Sequence, residues 1–393
     1  MKVLHIGGFY PEIGGPYSFI RNVGTATHKR GVETTILSPL PKRYPKGEGK
    51  PTPHGDLRVR YIETNSSSLL WPSYSDEWRP TIGAMLPSVD VVHVHGIFDH
   101  YAHVVSGQVR GKPYVLTVHG ALLDRAITGK SPLRKGLYLK SIGALILKNA
   151  SIIHLLNQEE KHGLEKACSL KGNDYAGKVR IIPPGIDLSE FSSLPPVNSF
   201  KRRFPELRNK RIILFLGRLH RIKGLDILVD AYERVAPRYD DVRLVLAGPE
   251  NDGYGKKIRV RLEDSGLMGK VLFPGMLEGR DKLEAFVDAE IFVLPSYSEG
   301  SPMAVLEAMA SGTPVVMSDR VGFRGEIERN RAATIVETNT ESLAAGITAL
   351  LHDGDERNRI AQNARRMAED CYNIDTVADR MIEAYEDAIG HVR

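Results

Sequence analysis

Short, β-branched apolar runs alternate with stretches of helical spacing along nearly the whole chain. In the first half the runs are Val3–Ile6, Thr34–Leu37, Val59–Ile62, Val89–Val94, Tyr114–Val118, Ile152–Leu156 and Val179–Ile182. They are continuous rather than strictly alternating, the pattern of parallel strands buried on both faces. Between them, Pro16–Arg30, Ser131–Asn149 and Gln158–Cys168 space their apolar residues as helices. The alternation restarts with strands at Ile212–Leu216, Val242–Ala247, Val271–Phe273, Ile291–Leu294, Thr313–Val316 and Ala333–Val336. Helices are expected at Leu225–Val235, Lys282–Asp288, Pro302–Ala310 and Ser342–Leu351. From Asp355 to Ile389 the pattern is helical, with a break near Cys371–Asn373.

Residues 183–209, PPGIDLSEFSSLPPVNSFKRRFPELRN, contain five prolines and read as a linker. Two consecutive βαβ series imply two doubly wound α/β domains, 1–190 and 191–372, with a terminal helix at 373–393. A length of 393 residues suits two domains better than one. Such sheets bind ligands outside the carboxyl ends of their strands, so two facing domains enclose a cleft.

Composition removes several classes. With 42% hydrophobic and 26% charged residues, wholesale disorder and coiled coil are excluded. No apolar run approaches the ~20 residues that span a bilayer. The opening MKVLHIGGFYPEIGGP lacks the longer apolar stretch of a signal peptide. Cys168 and Cys371 alone supply neither a disulfide framework nor a cysteine metal cluster. A cytoplasmic protein is expected. Residues 39–56, rich in Pro, Gly and Lys, read as an exposed loop.

Charge is uneven. Residues 1–200 carry 24 Lys/Arg against 16 Asp/Glu, whereas 201–393 carry 29 against 32. The first half therefore meets something anionic. Its densest part holds Arg110, Lys112, Arg125, Lys130, Arg134, Lys135, Lys140 and Lys148 against Asp124. Nucleic acid is disfavoured, because no aromatic stacking pattern interleaves these cations. The helix Ser131–Asn149 has cations toward its start and an apolar body of Leu133, Leu137, Leu139, Ile142, Leu145 and Ile146. It is either a core helix with a charged first turn or a segment that touches an anionic membrane surface.

Three segments carry chemistry. In IFVLPSYSEGSPMAVLEAMASGTPVVMSD (291–319) a strand ends at Pro295 and a helix is expected from Pro302. Glu299 lies on the loop and Glu307 on the helix, whose first-turn amides suit an anion. A carboxylate placed there can take a ribose diol; the plainer reading makes Glu299 a helix cap and Glu307 a solvated face. In LFLGRLHRIKG (214–224), Arg218 and Lys223 stand just past a buried strand and can hold a leaving diphosphate, or are ordinary loop cations. Gly7, Gly8, Gly14 and Gly15 lie between the first strand and helix, where glycine lets backbone approach a phosphate or simply makes a tight turn. The G-x-G-x-x-G spacing is absent, which counts against a dinucleotide-binding dehydrogenase.

Together these segments resemble the retaining nucleotide-sugar glycosyltransferases of the GT-B fold, glycosyltransferase family four (glycosyl transferases group one). The resemblance runs in order through Gly14–Gly15, VVHVHG (91–96), TVHG (117–120), IIPPGID (181–187), GRLHRIKG (217–224), LAGPE (246–250), FPGMLEG (273–279) and SEGSPMAVLEAMASGTPVV (298–316). It implies two Rossmann-like domains facing across a cleft, with the C-terminal helix crossing back to the first. It implies that Glu307 binds the ribose hydroxyls and that Glu299 contacts the transferred sugar. Arg218 and Lys223 would grip the diphosphate, approached from the other domain by Gly14 and Gly15. His119 would reach a hydroxyl of the donor sugar, and Met276 and Leu277 would lie beside the base. Gly300, Ser301, Met303 and Ala304 would line the donor site. Two departures from the family are Pro302, often glycine, and Pro184, often asparagine.

The implied reaction moves a hexose from a UDP- or GDP-sugar to a glycan or lipid-linked acceptor with retention, in envelope polysaccharide or glycolipid synthesis. Cations at the phosphates stabilise the departing charge, so neither cofactor nor metal is expected. Asp353–Gly354–Asp355 reads as turn and cap chemistry. His93 and His95 share a strand face; His95 is expected to line the acceptor side rather than to bind metal. The alternatives are a soluble small-metabolite glycosyltransferase, a nucleotide-sugar epimerase or a non-catalytic binding relative.

Overall fold

A computed structural model describes residues 1–40, 55, 57–64, 72–109, 111–123, 126–127, 131–168, 175, 177–250 and 253–391. Seven strands, β1 (Lys2–Ile6), β2 (Glu33–Leu40), β3 (Arg58–Glu63), β4 (Val91–His95), β5 (Tyr114–Thr117), β6 (Ile152–Leu155) and β7 (Val179–Ile181), form one sheet. Six more, β8 (Arg211–Leu216), β9 (Val242–Ala247), β10 (Val271–Gly275), β11 (Ala289–Leu294), β12 (Val315–Ser318) and β13 (Thr334–Val336), form a second. Every pairing is parallel, in the orders 3-2-1-4-5-6-7 and 10-9-8-11-12-13. Each order reverses direction beside its first strand, the doubly wound plan of two Rossmann-like α/β domains. Central strands such as β4 and β12 are buried at every position, which is why their sequences are dominated by apolar residues without a polar alternation, His93, His95 and Ser318 being buried exceptions.

The chain divides into Met1–Gly185 with Ile374–Arg393, and Ile186–Asn373. The terminal helix Ile374–Gly390 belongs to the first unit. It buries Val377, Ala378, Met381, Ala384, Tyr385 and Ala388 in a cluster with Val3, Phe19, Val23 and Val91. Arg30 clamps its start through Asp375 and Asp379.

The passage between the units, at Gly185/Ile186, falls inside the stretch expected as a linker, but the rest of that stretch is core material. Phe191, Phe200 and Leu207 are buried in the second unit's cluster, and the helix Ser199–Arg203 sits among its turns. Its prolines end and start short elements rather than leaving chain free in solvent. The structure adds helices at Trp78–Met85, His100–Gln108, Tyr254–Asp264 and Arg324–Asn330; in the first and third, Trp78/Ile82/Met85 and Tyr254/Ile258/Leu262 carry a helical spacing over only two to three turns. Pro39 and Leu40, expected in a loop, extend β2, while residues 41–54 and 56 lie outside the described residues.

Candidate active site

In the second unit two loops meet at the carboxyl edge of the sheet. The loop after β8 ends in a short 3-10 turn, Arg221–Lys223, and Gly224 follows at φ 68°. A Cβ at Gly224 would lie 2.1 Å from the Pro295 carbonyl oxygen, so only glycine lets this turn seat against the end of β11. The Tyr297 N–H donates to the Ile222 carbonyl at 2.8 Å and locks the two loops together. The Tyr297 hydroxyl donates to Asp226 Oδ2 at 2.8 Å; burial and that carboxylate push the phenol up to about 12.

This docking brings Lys223 onto Glu299. Lys223 Nζ donates to Glu299 Oε1, which also accepts from Ser296 Oγ at 3.0 Å. The Glu299 backbone is pinned on both sides, donating to Arg320 O and accepting from Gly322 N. Glu299 therefore does not cap the next helix, whose N-cap has no side-chain bond. That helix starts one residue later than expected: Pro302 is its extended N-cap and Met303–Ala310 the helix. Glu307 projects from it to Lys282, 2.7 Å from Nζ to Oε1, with both side chains less than a fifth exposed. Arg218 stands exposed on the β8 loop. Met276 is 46% exposed after β10, whereas Leu277 is buried in the core. Gly300, Ser301 and Ala304 are half-buried between Glu299 and Glu307. Asp353 caps the helix Gly354–Cys371 by accepting from the Glu356 N–H at 2.9 Å.

In the first unit, Gly14 and Gly15 open the helix Gly15–His28 just past β1. His119 follows β5 with φ 49°, beginning the turn 119–122. Glu160 holds that turn: its carboxylate accepts from the N–H groups of Gly120 and Leu156. Burial pushes this carboxyl up to about 7, against the pull of those two donors. Gly163 completes the seat, since a Cβ there would lie 2.1 Å from the Leu122 carbonyl oxygen.

Strand register gathers the histidines. His5 pairs with His93 across β1 and β4, and His95, Thr117 and His154 align across β4, β5 and β6. His95 is 3% exposed and bonds His5 at 2.9 Å and His119 at 3.0 Å. With both ring nitrogens hydrogen-bonded inside this layer, His95 would meet an acceptor only by giving up one of these two bonds. His5, His93 and His95 place one ligand atom each within 4.8 Å of one another. A cation there must take a nitrogen of His93 that Tyr385 or Thr117 already holds, at 2.8 and 2.6 Å.

The basic helix divides its apolar residues. Leu139, Ile146 and Leu147 are buried, whereas Leu133 (88%), Leu137 (72%) and Leu145 (47%) face solvent beside Arg134 and Lys140. Lys135 is tied down instead, donating to the Ala126 carbonyl and lying 5.8 Å over the Phe98 ring. Arg110, Asp124, Arg125 and Lys130 lie outside the described residues. Among the described residues no helix is long and apolar enough to cross a membrane.

Sequence reasoning missed Lys282, Glu160, His5, His154 and Tyr385. Only Glu160 carried a local signal: Asn157-x-x-Glu160 is a capping-box spacing, and Asn157 Oδ1 accepts the Glu160 N–H at 2.9 Å.

The family description "Glycosyl transferases group 1" matches residues 197–367, and "Glycosyltransferase Family 4" matches 13–190. An uncharacterized glycosyltransferase of Methanocaldococcus jannaschii is 28% identical, over 84% of each chain. GDP-mannose:cellobiosyl-diphosphopolyprenol alpha-mannosyltransferase of Xanthomonas oryzae is 26% identical over 99% of this chain and 98% of its own. Among solved structures, Anabaena HepE in complex with UDP aligns with a TM-score of 0.76 at 18% identity, over 98% of this chain and all of that one.

Proposed function

The chain belongs to the glycosyl transferases group 1 family with the GT-B fold, and on that premise we propose that it moves a hexose from a UDP- or GDP-sugar to a lipid-linked glycan acceptor with retention. The observation that carries this reading is the two half-buried ion pairs Lys223–Glu299 and Lys282–Glu307, whose carboxylates stand on the loop after β11 and on the helix that follows it. In this proposal Lys223 and Arg218 hold the diphosphate, Glu307 takes the ribose hydroxyls and Glu299 meets the transferred sugar. Gly14 and Gly15 approach the diphosphate, and His119 contacts a sugar hydroxyl. The bond from the anomeric carbon to the phosphate oxygen breaks, and its electron pair leaves with the diphosphate. The acceptor oxygen bonds that carbon on the same face, and its proton passes to the departing phosphate oxygen. The cations supply the charge stabilisation, so no metal is assigned a step.

A lipid-linked acceptor is supported by the diphosphopolyprenol acceptor in the name of the Xanthomonas relative and by the solvent-facing Leu133 and Leu137 beside Arg134 and Lys140. The test is a thermal-shift panel of UDP, GDP and their sugars, followed by nucleoside diphosphate release with acceptor present. A ligand at 100 times its dissociation constant adds ~2.7 kcal/mol. Failure of every nucleotide and nucleotide sugar to raise Tm removes the reading.

A further inference from the structure

Two hydrogen-bonded chains run through the buried side-chain layer of the first unit, and their partners fix where the protons sit. One chain ends on a carbonyl. His154 Nε2 lies 2.8 Å from Ile182 O, which can only accept, so His154 carries its proton on Nε2 and its Nδ1 accepts from Thr117 Oγ1 at 2.7 Å. Thr117 Oγ1 in turn accepts from His93 Nε2, and His93 Nδ1 accepts from the Tyr385 hydroxyl. Nothing in this chain is free to change direction.

The second chain runs His5 Nδ1 to His95 Nε2, then His95 Nδ1 to His119 Nε2. Its outer marker is His5 Nε2, which is buried and has no partner among the described residues. A buried N–H without an acceptor is rarer and dearer than an unused lone pair. The proton of His5 therefore sits on Nδ1 and is donated to His95 Nε2. His95 must then carry its own proton on Nδ1 and donate to His119 Nε2. Burial keeps the rings uncharged, with His5 and His119 lowered to about 3 and His95 well below the ordinary histidine range.

We propose that His5 and His95 are positioning residues that hold His119 in its Nδ1–H tautomer, so that His119 offers a neutral donor and no basic nitrogen. The inference rests on the reading of His119 as the residue that meets the donor sugar. A ring fixed in this way can donate to a sugar hydroxyl or phosphate oxygen and cannot take a proton from the acceptor. That agrees with a reaction in which the departing phosphate receives the proton. Phe19, 5.3 Å from the His119 ring and 5.9 Å from that of His95, closes the layer from the helix side.

The test is a two-bond proton–nitrogen correlation spectrum of the full chain carrying 15N-histidine, with His119 assigned by its loss in His119→Gln. The expected pattern is a protonated Nδ1 and an unprotonated Nε2, unchanged from pH 8 to pH 5.5. His5→Asn keeps an amide N–H where Nδ1 stood and should preserve the pattern. His5→Leu should mix the tautomers of His119 and lower kcat about tenfold, with KM for the nucleotide sugar nearly constant. A wild-type His119 protonated on Nε2, or a folded His5→Leu variant with an unchanged spectrum, overturns the proposal. The spectrum does not depend on turnover, so absence of transfer overturns the function proposed above, while the Nε2–H pattern overturns the relay.

Discussion

Lys223 and Glu299 stand 76 residues apart and balance each other's charge in the second unit, with side chains only 16% and 12% exposed. An anion arriving at Lys223 thus meets a cation that already has a partner. Glu299→Gln keeps the shape and removes the balance. Affinity for UDP or GDP should rise about threefold to tenfold, up to ~1.4 kcal/mol, while transfer falls because the sugar loses its carboxylate contact. Calorimetry at two salt concentrations checks this, since a gain from a bare charge must shrink as salt rises. Weaker binding in the folded variant would show that Lys223 and the diphosphate do not meet.

Glu307 gives a second, separable test. Its Oε1 accepts from Lys282, and the carboxylate's remaining lone pairs on Oε1 and Oε2 can take the ribose hydroxyls without disturbing the pair. Glu307→Ala should weaken nucleoside diphosphate binding by ~1.5–3 kcal/mol, about tenfold to a hundredfold. Lys282→Met should lower Tm, because it strands a half-buried carboxylate, yet leave Glu307 able to bind. Equal affinity of Glu307→Ala and wild type for both nucleotides would take Glu307 out of the site.

Arg218→Ala and Lys223→Ala should each lower kcat by about tenfold or more, because charge on the leaving diphosphate is greatest in the transition state. Tm should change little for the exposed Arg218 but fall for Lys223, whose loss strands the Glu299 carboxylate. Transfer should also persist in EDTA. Complete loss on chelation, restored by Mg²⁺ or Mn²⁺, would reject the proposed assignment of charge stabilisation to these two side chains.

How far the sequence speaks depends on the range of each interaction. The strand order and the longer helices follow from local pattern, whereas four short helices and the end of β2 do not. The start of the helix at Met303 rather than Pro302 is a cap detail that a missing N–H alone does not decide. Lys282 could not be found from its own neighbourhood, because its meaning comes from a helix 25 residues away. The histidine layer was still harder to see. His5, His93, His95 and His154 look like scattered polar residues in apolar strands until register aligns them. The prolines of 183–209 suggested a linker because turn residues mark breaks in regularity, not breaks in packing.

Acid should destabilise the first unit in a specific way. His5 and His119 are lowered to about 3 and His154 to about 4, while His93 and His95 lie well below the ordinary value of 6.5. Below pH ~6.5 the unfolded chain binds protons that the folded one refuses, so each ring costs up to ~1.4 kcal/mol per pH unit. Glu160 works in the opposite sense: raised to about 7, it favours the folded state as pH falls from 7 toward 4.5. Five rings outweigh one carboxyl. Tm should drop steeply between pH 6.5 and 5, and His154→Gln should flatten the slope. In Glu160→Gln the acid slope should steepen, since the opposing contribution is gone. A wild-type Tm constant over that range would refute buried neutral imidazoles.

The exposed leucines decide what the basic helix does. Leu133 and Leu137 lie four residues apart, one above the other on a helix face, next to exposed Arg134 and Lys140. A helix that served only the core would bury them, as it buries Leu139 and Ile146. Each cation near an anionic surface contributes ~1 kcal/mol within a Debye length of ~8 Å, and apolar insertion adds to that. Leu133→Ser with Leu137→Ser should abolish co-sedimentation with anionic vesicles and leave the melting curve unchanged or higher. Arg134→Ser with Lys140→Ser should weaken binding in low salt, and raised salt should reproduce that loss in the wild type. Lys135 is left in place, because its bond to the Ala126 carbonyl makes its removal a packing change. Transfer to a short water-soluble acceptor should survive both pairs. A stable wild-type protein that never sediments with anionic vesicles would leave a soluble acceptor as the reading to pursue.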